Sequence, residues 1–121
     1  MAKKVVIIEK DRDILDVVTY ILTEAGYTVC PFETASVTLI KIAEEKPDLI
    51  LLDVINISKE GTALCEAIKK ESKLKSVPMV ALSTHLKPQV IKDTCADEVM
   101  NKPFDIDELL QIVEDHIQTH A

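Results

Sequence analysis

Glycine is scarce in this sequence, with only two residues in 121. No glycine-rich phosphate loop follows the first apolar run, so a nucleotide site of that type is poorly supported. No apolar run approaches the ~18 residues that a membrane span needs. The run at 5–8 is also too short for the core of a signal peptide. These absences predict a cytoplasmic protein.

Closely spaced cysteine pairs are missing as well. Cys30, Cys65 and Cys95 are odd in number, widely separated and without a CxxC pair. We therefore expect neither a zinc site nor a disulfide framework. The pattern is typical of small buried thiols in a reducing compartment. Cys95 is expected to pack beneath the last strand.

Basic residues are too few to balance the acidic ones, and the formal net charge is −7. This balance argues against direct binding to nucleic acid or to an anionic membrane, and it hints at a carboxylate cluster. Apolar residues make up 47% of the chain and charged residues 29%. A chain of this length and composition is expected to form one globular domain.

Short apolar runs alternate with stretches of helical spacing along the chain. Strands are predicted at 5–8, 28–30, 49–52, 78–82 and 97–100. Helices are predicted at 14–22, from an N-cap at Thr34 through Ile42, from Gly61 through Ile68, at 86–94, and from an N-cap at Asp105 through Ile117. Buried runs separated by amphipathic helices indicate a parallel sheet covered on both faces. We predict an α/β fold, a flavodoxin-like doubly wound five-stranded sheet of order 2-1-3-4-5 with five helices.

Polar residues follow the predicted strands at the edge where this fold gathers its functional groups. Glu9 follows the first strand, Asp53 the third, Ser83 the fourth and Lys102 the fifth. A carboxylate such as Asp53 can attack phosphorus as a nucleophile. Lys102 and the Ser83 hydroxyl could then donate to the phosphoryl oxygens. Acids near Asp53 would hold Mg²⁺.

At these residues the sequence resembles the receiver domain of two-component response regulators. The resemblance covers the whole chain, so it implies a single receiver domain over 1–121. It rests on V-V-I-I-E at 5–9, P-D-L-I-L-L-D at 47–53, Gly61, V-P-M-V-A-L-S at 77–83 and A-D-E-V-M-N-K-P-F at 96–104.

The resemblance implies that Asp53 accepts a phosphoryl group from a histidine kinase, with Ser83 and Lys102 contacting that group. Glu9, Asp53 and the backbone carbonyl of Ile55 would hold Mg²⁺. Pro103 would follow a cis peptide bond. The phosphoryl group would be relayed as a conformational change to a partner protein or output domain. No enzymatic activity is expected beyond phosphotransfer and autodephosphorylation at Asp53.

The sequence also departs from the family pattern. Lys10 stands where the second metal-binding acid is expected, and the pocket charge is then close to zero. One unit charge about 4 Å away is worth up to ~4 kcal/mol at an effective dielectric near 20, enough to weaken Mg²⁺ binding. Lys10 would alternatively pair with Asp53, or Asp11 would turn inward as the missing acid. For Asp11 the N-cap of the first helix is the favoured role. Three other departures concern single positions: Val99 replaces the aromatic switch residue, Thr84 the usual small residue and Ile57 a common proline. The stretch between Ser83 and Lys102 is also shorter than is typical of the family.

Three functions compete. Phosphoacceptor signalling through Asp53 leads, and a pseudo-receiver that binds proteins without phosphorylation is the alternative. A small α/β enzyme or nucleotide binder is third. If the domain signals, Val99 predicts movement of the loop at 83–85 and the helix after it. His116 and His120 share a face of the last helix, but with no third ligand they indicate a solvated surface.

Overall fold

The computed structural model describes residues 2–34, 37–54, 59–83 and 95–119. Strands and helices alternate along it, apart from two successive strands on either side of 84–94. The strands are β1 (Lys4–Glu9), β2 (Thr28–Glu33), β3 (Leu49–Asp53), β4 (Met79–Ser83) and β5 (Glu98–Asn101). The helices are α1 (Arg12–Glu24), α2 (Leu39–Glu44), α3 (Lys59–Lys70) and α4 (Ile106–Thr119).

The five strands form one parallel sheet in the order β2-β1-β3-β4-β5. The predicted fold class and strand order are therefore confirmed. Four of the five predicted helices lie in the described residues, and the helix predicted at 86–94 falls outside them. None of the helices in the described part of the chain has the length and apolar character needed to span a bilayer.

The sheet separates two apolar layers because successive side chains of a strand point to opposite faces. Every residue of β3 and β4 is buried, as a sheet covered on both sides requires. One layer packs against α2 and α3 and contains Val6, Ile8, Ile42, Ile50, Leu52 and Ile68. The other packs against α1 and α4 and contains Val5, Ile7, Leu15, Leu51, Leu109 and Val113. Full burial of each such side chain contributes about 1.5–3 kcal/mol.

Helix α1 begins and ends where local chemistry predicts. The Asp11 carboxylate accepts hydrogen bonds from the backbone N–H groups of Asp13 and Ile14, at 2.9 and 3.2 Å. This confirms Asp11 as the N-cap. Gly26 follows the helix with φ of +100°, in the left-handed region that favours glycine. The Tyr27 N–H then donates to the carbonyl of Leu22, which closes the last turn.

The predicted start of the second helix is wrong. Its N-cap is Thr38, whose side chain accepts from the N–H of Lys41, and not Thr34. The reason is tertiary: β2 stays paired with β1 as far as Glu33, so the chain at Thr34 has only just left the sheet. The third helix also begins earlier than predicted, at Lys59 and not at Gly61.

The expectation that the chain has no disulfide is also wrong. Cys65 in α3 is bonded to Cys95, with their Cα atoms 5.7 Å apart. The two residues are separated by 30 positions, and only the packing of α3 beside the segment before β5 brings them together. Cys30 is a free, half-buried thiol. Burial, and then the neighbouring Glu45, raises the pKa of Cys30 to about 11, so it remains protonated at neutral pH.

Candidate functional site

The carboxyl ends of four neighbouring strands meet at one edge of the sheet. Glu9 ends β1, Asp53 ends β3 and Ser83 ends β4. Asp53 lies beside Leu82 in the register of β3 and β4. The backbone N–H of Lys102, directly after β5, donates to the Ser83 carbonyl at 2.8 Å. The parallel topology thus brings all four predicted site residues to this edge.

Lys102 joins the two acids of this edge. Its Nζ lies 2.7 Å from Oε1 of Glu9 and 3.0 Å from Oδ1 of Asp53. The Glu9 side chain is fully buried, and the Asp53 and Lys102 side chains are 5% and 13% exposed. A buried carboxylate needs a charged or hydrogen-bonding partner, and Lys102 provides it for both acids. The peptide bond from Lys102 to Pro103 is cis, as the resemblance implied.

For both Glu9 and Lys102, burial and the hydrogen bond between them shift the pKa in opposite directions. Burial raises the pKa of Glu9, and the hydrogen bond from Lys102 only partly opposes that effect. Burial lowers the pKa of Lys102, but the hydrogen bonds to Glu9 and Asp53 outweigh it, so the pKa is raised overall. Lys102 is therefore a cation throughout the neutral range.

The two oxygens of Asp53 have different surroundings. Oδ1 accepts the hydrogen bond from Lys102. Oδ2 is buried and has no hydrogen-bond partner among the residues that the structure describes. A buried polar atom without a partner is costly and often marks a functional site. Within the described residues, one oxygen of Asp53 is thus held by a cation and the other has no hydrogen-bond partner.

Glu9 uses both of its oxygens. Oε1 accepts from Lys102, and Oε2 accepts from the backbone N–H of Asp11 at 3.2 Å. Glu9 is fully buried, which is unusual because acidic residues are mostly exposed. Its position after a strand suggested a site residue, but the sequence did not reveal this burial. The Glu9–Lys102 contact itself was not predicted.

The structure supports neither alternative raised by the sequence, in which Lys10 pairs with Asp53 or Asp11 turns inward. Lys10 is exposed, and the ion pair found for Asp53 in the described ranges is with Lys102. Asp11 is exposed and caps α1, so it does not turn inward as a third acid. Ile55, predicted to offer a backbone carbonyl, lies outside the described residues. Over 2–34, 37–54, 59–83 and 95–119, no three histidine, cysteine or acidic side chains cluster as a metal site would require.

An apolar hollow of about 450 Å³ opens beside the site. Lys102 and Pro103 form one side of it, and Ile14 and Val17 of α1 form the other. Asp13, Val18 and Phe104 also line it, and Val17 is 56% exposed.

Comparison with known proteins identifies similar sequences and structures. The sequence matches the family model of the response regulator receiver domain over residues 5–114. The chemotaxis response regulator CheY4 of Vibrio cholerae is 26% identical, with a TM-score of 0.85 over 96% of this chain and 99% of that chain.

Two other regulators of known structure are also similar. NtrX from Brucella abortus is 28% identical with a TM-score of 0.84, and the match covers 99% of this chain but only 27% of the NtrX chain. A response regulator receiver modulated diguanylate cyclase from Pelobacter carbinolicus is 28% identical with a TM-score of 0.77, over 98% of this chain and 94% of that chain. The strand order, the strand-end acids and lysine and the family match lead to one conclusion: the chain belongs to the receiver domains of two-component response regulators.

Proposed function

We propose that this receiver domain accepts a phosphoryl group on Oδ2 of Asp53 and relays the change to a partner protein. The observation that carries the proposal is the asymmetry of Asp53, with Oδ1 on the Lys102 ammonium and Oδ2 buried without a partner in the described residues. Receiver domains are typically non-enzymatic phosphoacceptors that interact with histidine kinases and output domains. We extend that role to this chain, taken as one receiver domain over 1–121.

The transfer is a displacement at phosphorus. A lone pair on Oδ2 forms the new O–P bond, the P–N bond of the kinase phosphohistidine breaks, and the departing imidazole keeps that electron pair and takes up a proton. The phosphoryl group adds negative charge next to Glu9. Lys102 lies between the two acids and offsets that charge. Ser83, at the end of β4, is proposed to donate its hydroxyl to a phosphoryl oxygen.

Receiver domains generally bind Mg²⁺ in their acidic pocket, and two carboxylates of this chain fit that ion. Mg²⁺ usually keeps several waters and takes one or two protein carboxylates together with phosphate oxygens. Glu9 and Asp53 would hold it, with the Ile55 carbonyl proposed as a further ligand. Bound Mg²⁺ supplies positive charge to the transferring phosphoryl oxygens. Because Lys102 already neutralises one acid, we expect weak binding.

The phosphodonor is proposed to be a protein, a histidine kinase. The hollow beside Lys102 is lined mostly by apolar side chains, with Asp13 as a further charged residue, and Val17 in its lining is exposed. An apolar surface of this kind suits a protein partner better than a small anionic donor. We place this exchange in the cytoplasm, with neither nucleic acid nor membrane as a direct partner.

Acetyl phosphate and phosphoramidate, each with Mg²⁺, provide the test. We expect intact-mass analysis to show one phosphoryl adduct on the wild type and none on Asp53→Asn. Asp115→Asn is the matched control, because it removes an exposed carboxylate of α4 outside the site, and it should be labelled like the wild type. Hydroxylamine should remove the adduct, as it does for an acyl phosphate. Absence of an adduct with both small donors and with a phosphorylated histidine kinase overturns the proposal.

A pseudo-receiver is the second candidate, and a specific observation favours it. Lys102 already pairs with both Glu9 and Asp53 without a metal, and neither Lys10 nor Asp11 turns into the pocket. Such a pocket could be a permanently occupied structural site in a domain that only binds proteins. The same labelling experiment decides between the two, since a pseudo-receiver forms no adduct on Asp53.

A further inference from the structure

We propose that Cys65 and Cys95 form a redox-sensitive lock on the candidate site. The oxidised pair holds α3 against the segment that enters β5, and reduction by a dithiol releases that constraint and changes the reactivity of Asp53. The part of this inference that concerns Asp53 rests on the proposed function, whereas the lock itself does not.

The disulfide lies inside the core layer on the α3 face of the sheet. Cys65 is fully buried and Cys95 is 6% exposed. Both belong to the apolar cluster that contains Val54, Ile68 and Met79. The bond therefore joins two elements within the packed interior, where a change in covalent linkage must be accommodated by the surrounding side chains.

A second contact joins the same two elements. Lys69, one turn after Cys65 on α3, places its Nζ 2.9 Å from Oδ2 of Asp97. That oxygen also accepts the backbone N–H of Met79 at 2.7 Å. The lysine–aspartate pair is partly exposed, so it stabilises only weakly. Among the described residues, this weak pair and the core packing still join α3 to the segment when the disulfide is reduced.

Each cysteine lies on a segment that is connected along the chain to one partner of the Asp53–Lys102 ion pair. The segment that contains Cys95 continues through β5 into Lys102. The helix that contains Cys65 comes after Asp53 and Val54 in the chain. Between the two cysteines lies β4, which ends at Ser83. The disulfide thus joins the helix that follows Asp53 to the segment that precedes Lys102.

The redox step is a thiol–disulfide exchange. A thiolate of a dithiol reductant attacks one sulfur, the S–S bond breaks and a mixed disulfide forms. The second thiol of the reductant then displaces the protein thiol, so the protein gains two electrons and two protons and the reductant becomes a disulfide. A small-molecule disulfide reverses the change. In a reducing compartment a disulfide of this kind is usually transient and redox-sensing.

Access to the sulfurs distinguishes this pair from a reactive surface cysteine. Cys95 is the less enclosed partner, so local opening of its segment, and not of α3, is the expected route for the reductant. The exchange is therefore expected to be slow compared with that of an exposed disulfide.

Reduced and oxidised forms of the full chain provide the test, prepared with dithiothreitol and with oxidised glutathione. Alkylation and intact mass should show one modified cysteine, Cys30, in the unfolded oxidised form and all three in the reduced form. The chain with Cys30→Ser keeps the pair and removes the background thiol. A double variant, Cys65→Ser with Cys95→Ser, or the matching alanine pair if the serines prevent folding, has no pair to titrate.

Two readouts follow for each form. Hydrogen exchange at 95–101 should be faster in the reduced wild type than in the oxidised one. The rate of Asp53 labelling by acetyl phosphate should differ by about threefold or more between the two forms, within the range of couplings between connected sites. The double variant should show neither difference.

Each failure has its own meaning. If all three cysteines are alkylated without a reductant, or if both forms give equal exchange and equal labelling rates, the lock is overturned. If Asp53 is not labelled in any form, the proposed function fails, and the hydrogen exchange at 95–101 alone decides on the lock.

Discussion

Lys102 and Asp53 lie 49 positions apart in the sequence, and their Nζ and Oδ1 atoms lie 3.0 Å apart in the structure. The same ammonium group contacts Glu9 at 2.7 Å. Lys10 is exposed, so the buried charges are two carboxylates and one ammonium. The pocket is therefore more acidic than the near-zero charge expected from the sequence. This charge distribution leads to the first two predictions below.

The two lysines near the acids should affect Mg²⁺ binding very differently. We expect Lys102→Met to raise Mg²⁺ affinity at least about tenfold, because a buried charge ~4 Å away is worth up to ~4 kcal/mol at an effective dielectric near 20. Lys10→Met is the matched control and should change the affinity less than about threefold, since exposed charges are screened. Isothermal titration calorimetry measures both. Equal effects of the two substitutions would mean that Lys10 also faces the pocket.

The raised pKa of Lys102 predicts a specific pH dependence of stability. A lysine whose pKa is higher in the folded state stabilises the fold below its ordinary pKa of 10.5, and this contribution disappears as the pH rises through the folded-state value. The difference in unfolding free energy between wild type and Lys102→Met should be constant from about pH 8.5 to about pH 10 and shrink above that. Urea denaturation across this range measures it.

Lys73→Met is the control for that experiment, because Lys73 is an exposed lysine outside the site. Its difference from the wild type should stay small and show no such step. A step of the same size in both variants would contradict the assignment to Lys102.

Substitution of Asp11 should change the free energy of unfolding but not the affinity for Mg²⁺. Asp11→Ala removes the oxygen that accepts from Asp13 and Ile14, so we expect a loss of about 1 kcal/mol in unfolding free energy. Asp11→Asn keeps a capping oxygen and should lose much less. Mg²⁺ affinity should be close to that of the wild type in both variants. A large drop in affinity in Asp11→Ala, measured by the same calorimetry, would return Asp11 to the metal site.

The disulfide should contribute measurably to stability. A crosslink that closes a loop of 30 residues is expected to stabilise the fold by about 3–4 kcal/mol, mainly by restricting the unfolded chain. Adding dithiothreitol should therefore lower the urea midpoint of the wild type and of Cys30→Ser. The double variant, Cys65→Ser with Cys95→Ser, should not respond. An unchanged wild-type midpoint would show that the pair is already reduced in the folded protein.

Much of the fold was predictable because it follows from short-range patterns. The apolar runs at 5–8 and 49–52 lie within observed strands, and the run at 78–82 does so from Met79 onward, since a strand buried on both faces needs every side chain apolar. Asp11 and Gly26 marked the ends of α1 through local hydrogen bonding and a positive φ. The order 2-1-3-4-5 then followed from alternating strands and helices.

The sequence by itself determined which residues follow the strands, and so which side chains the sheet gathers at one edge. Only the tertiary structure decided how they pair. The Glu9–Lys102 contact spans 93 positions and the cysteine pair 30, distances over which no local pattern carries information. The shift of the α2 cap from Thr34 to Thr38 has the same origin, because pairing of β2 with β1 overrides local capping preference. Periodicity specifies elements, whereas contacts between distant residues depend on how those elements pack.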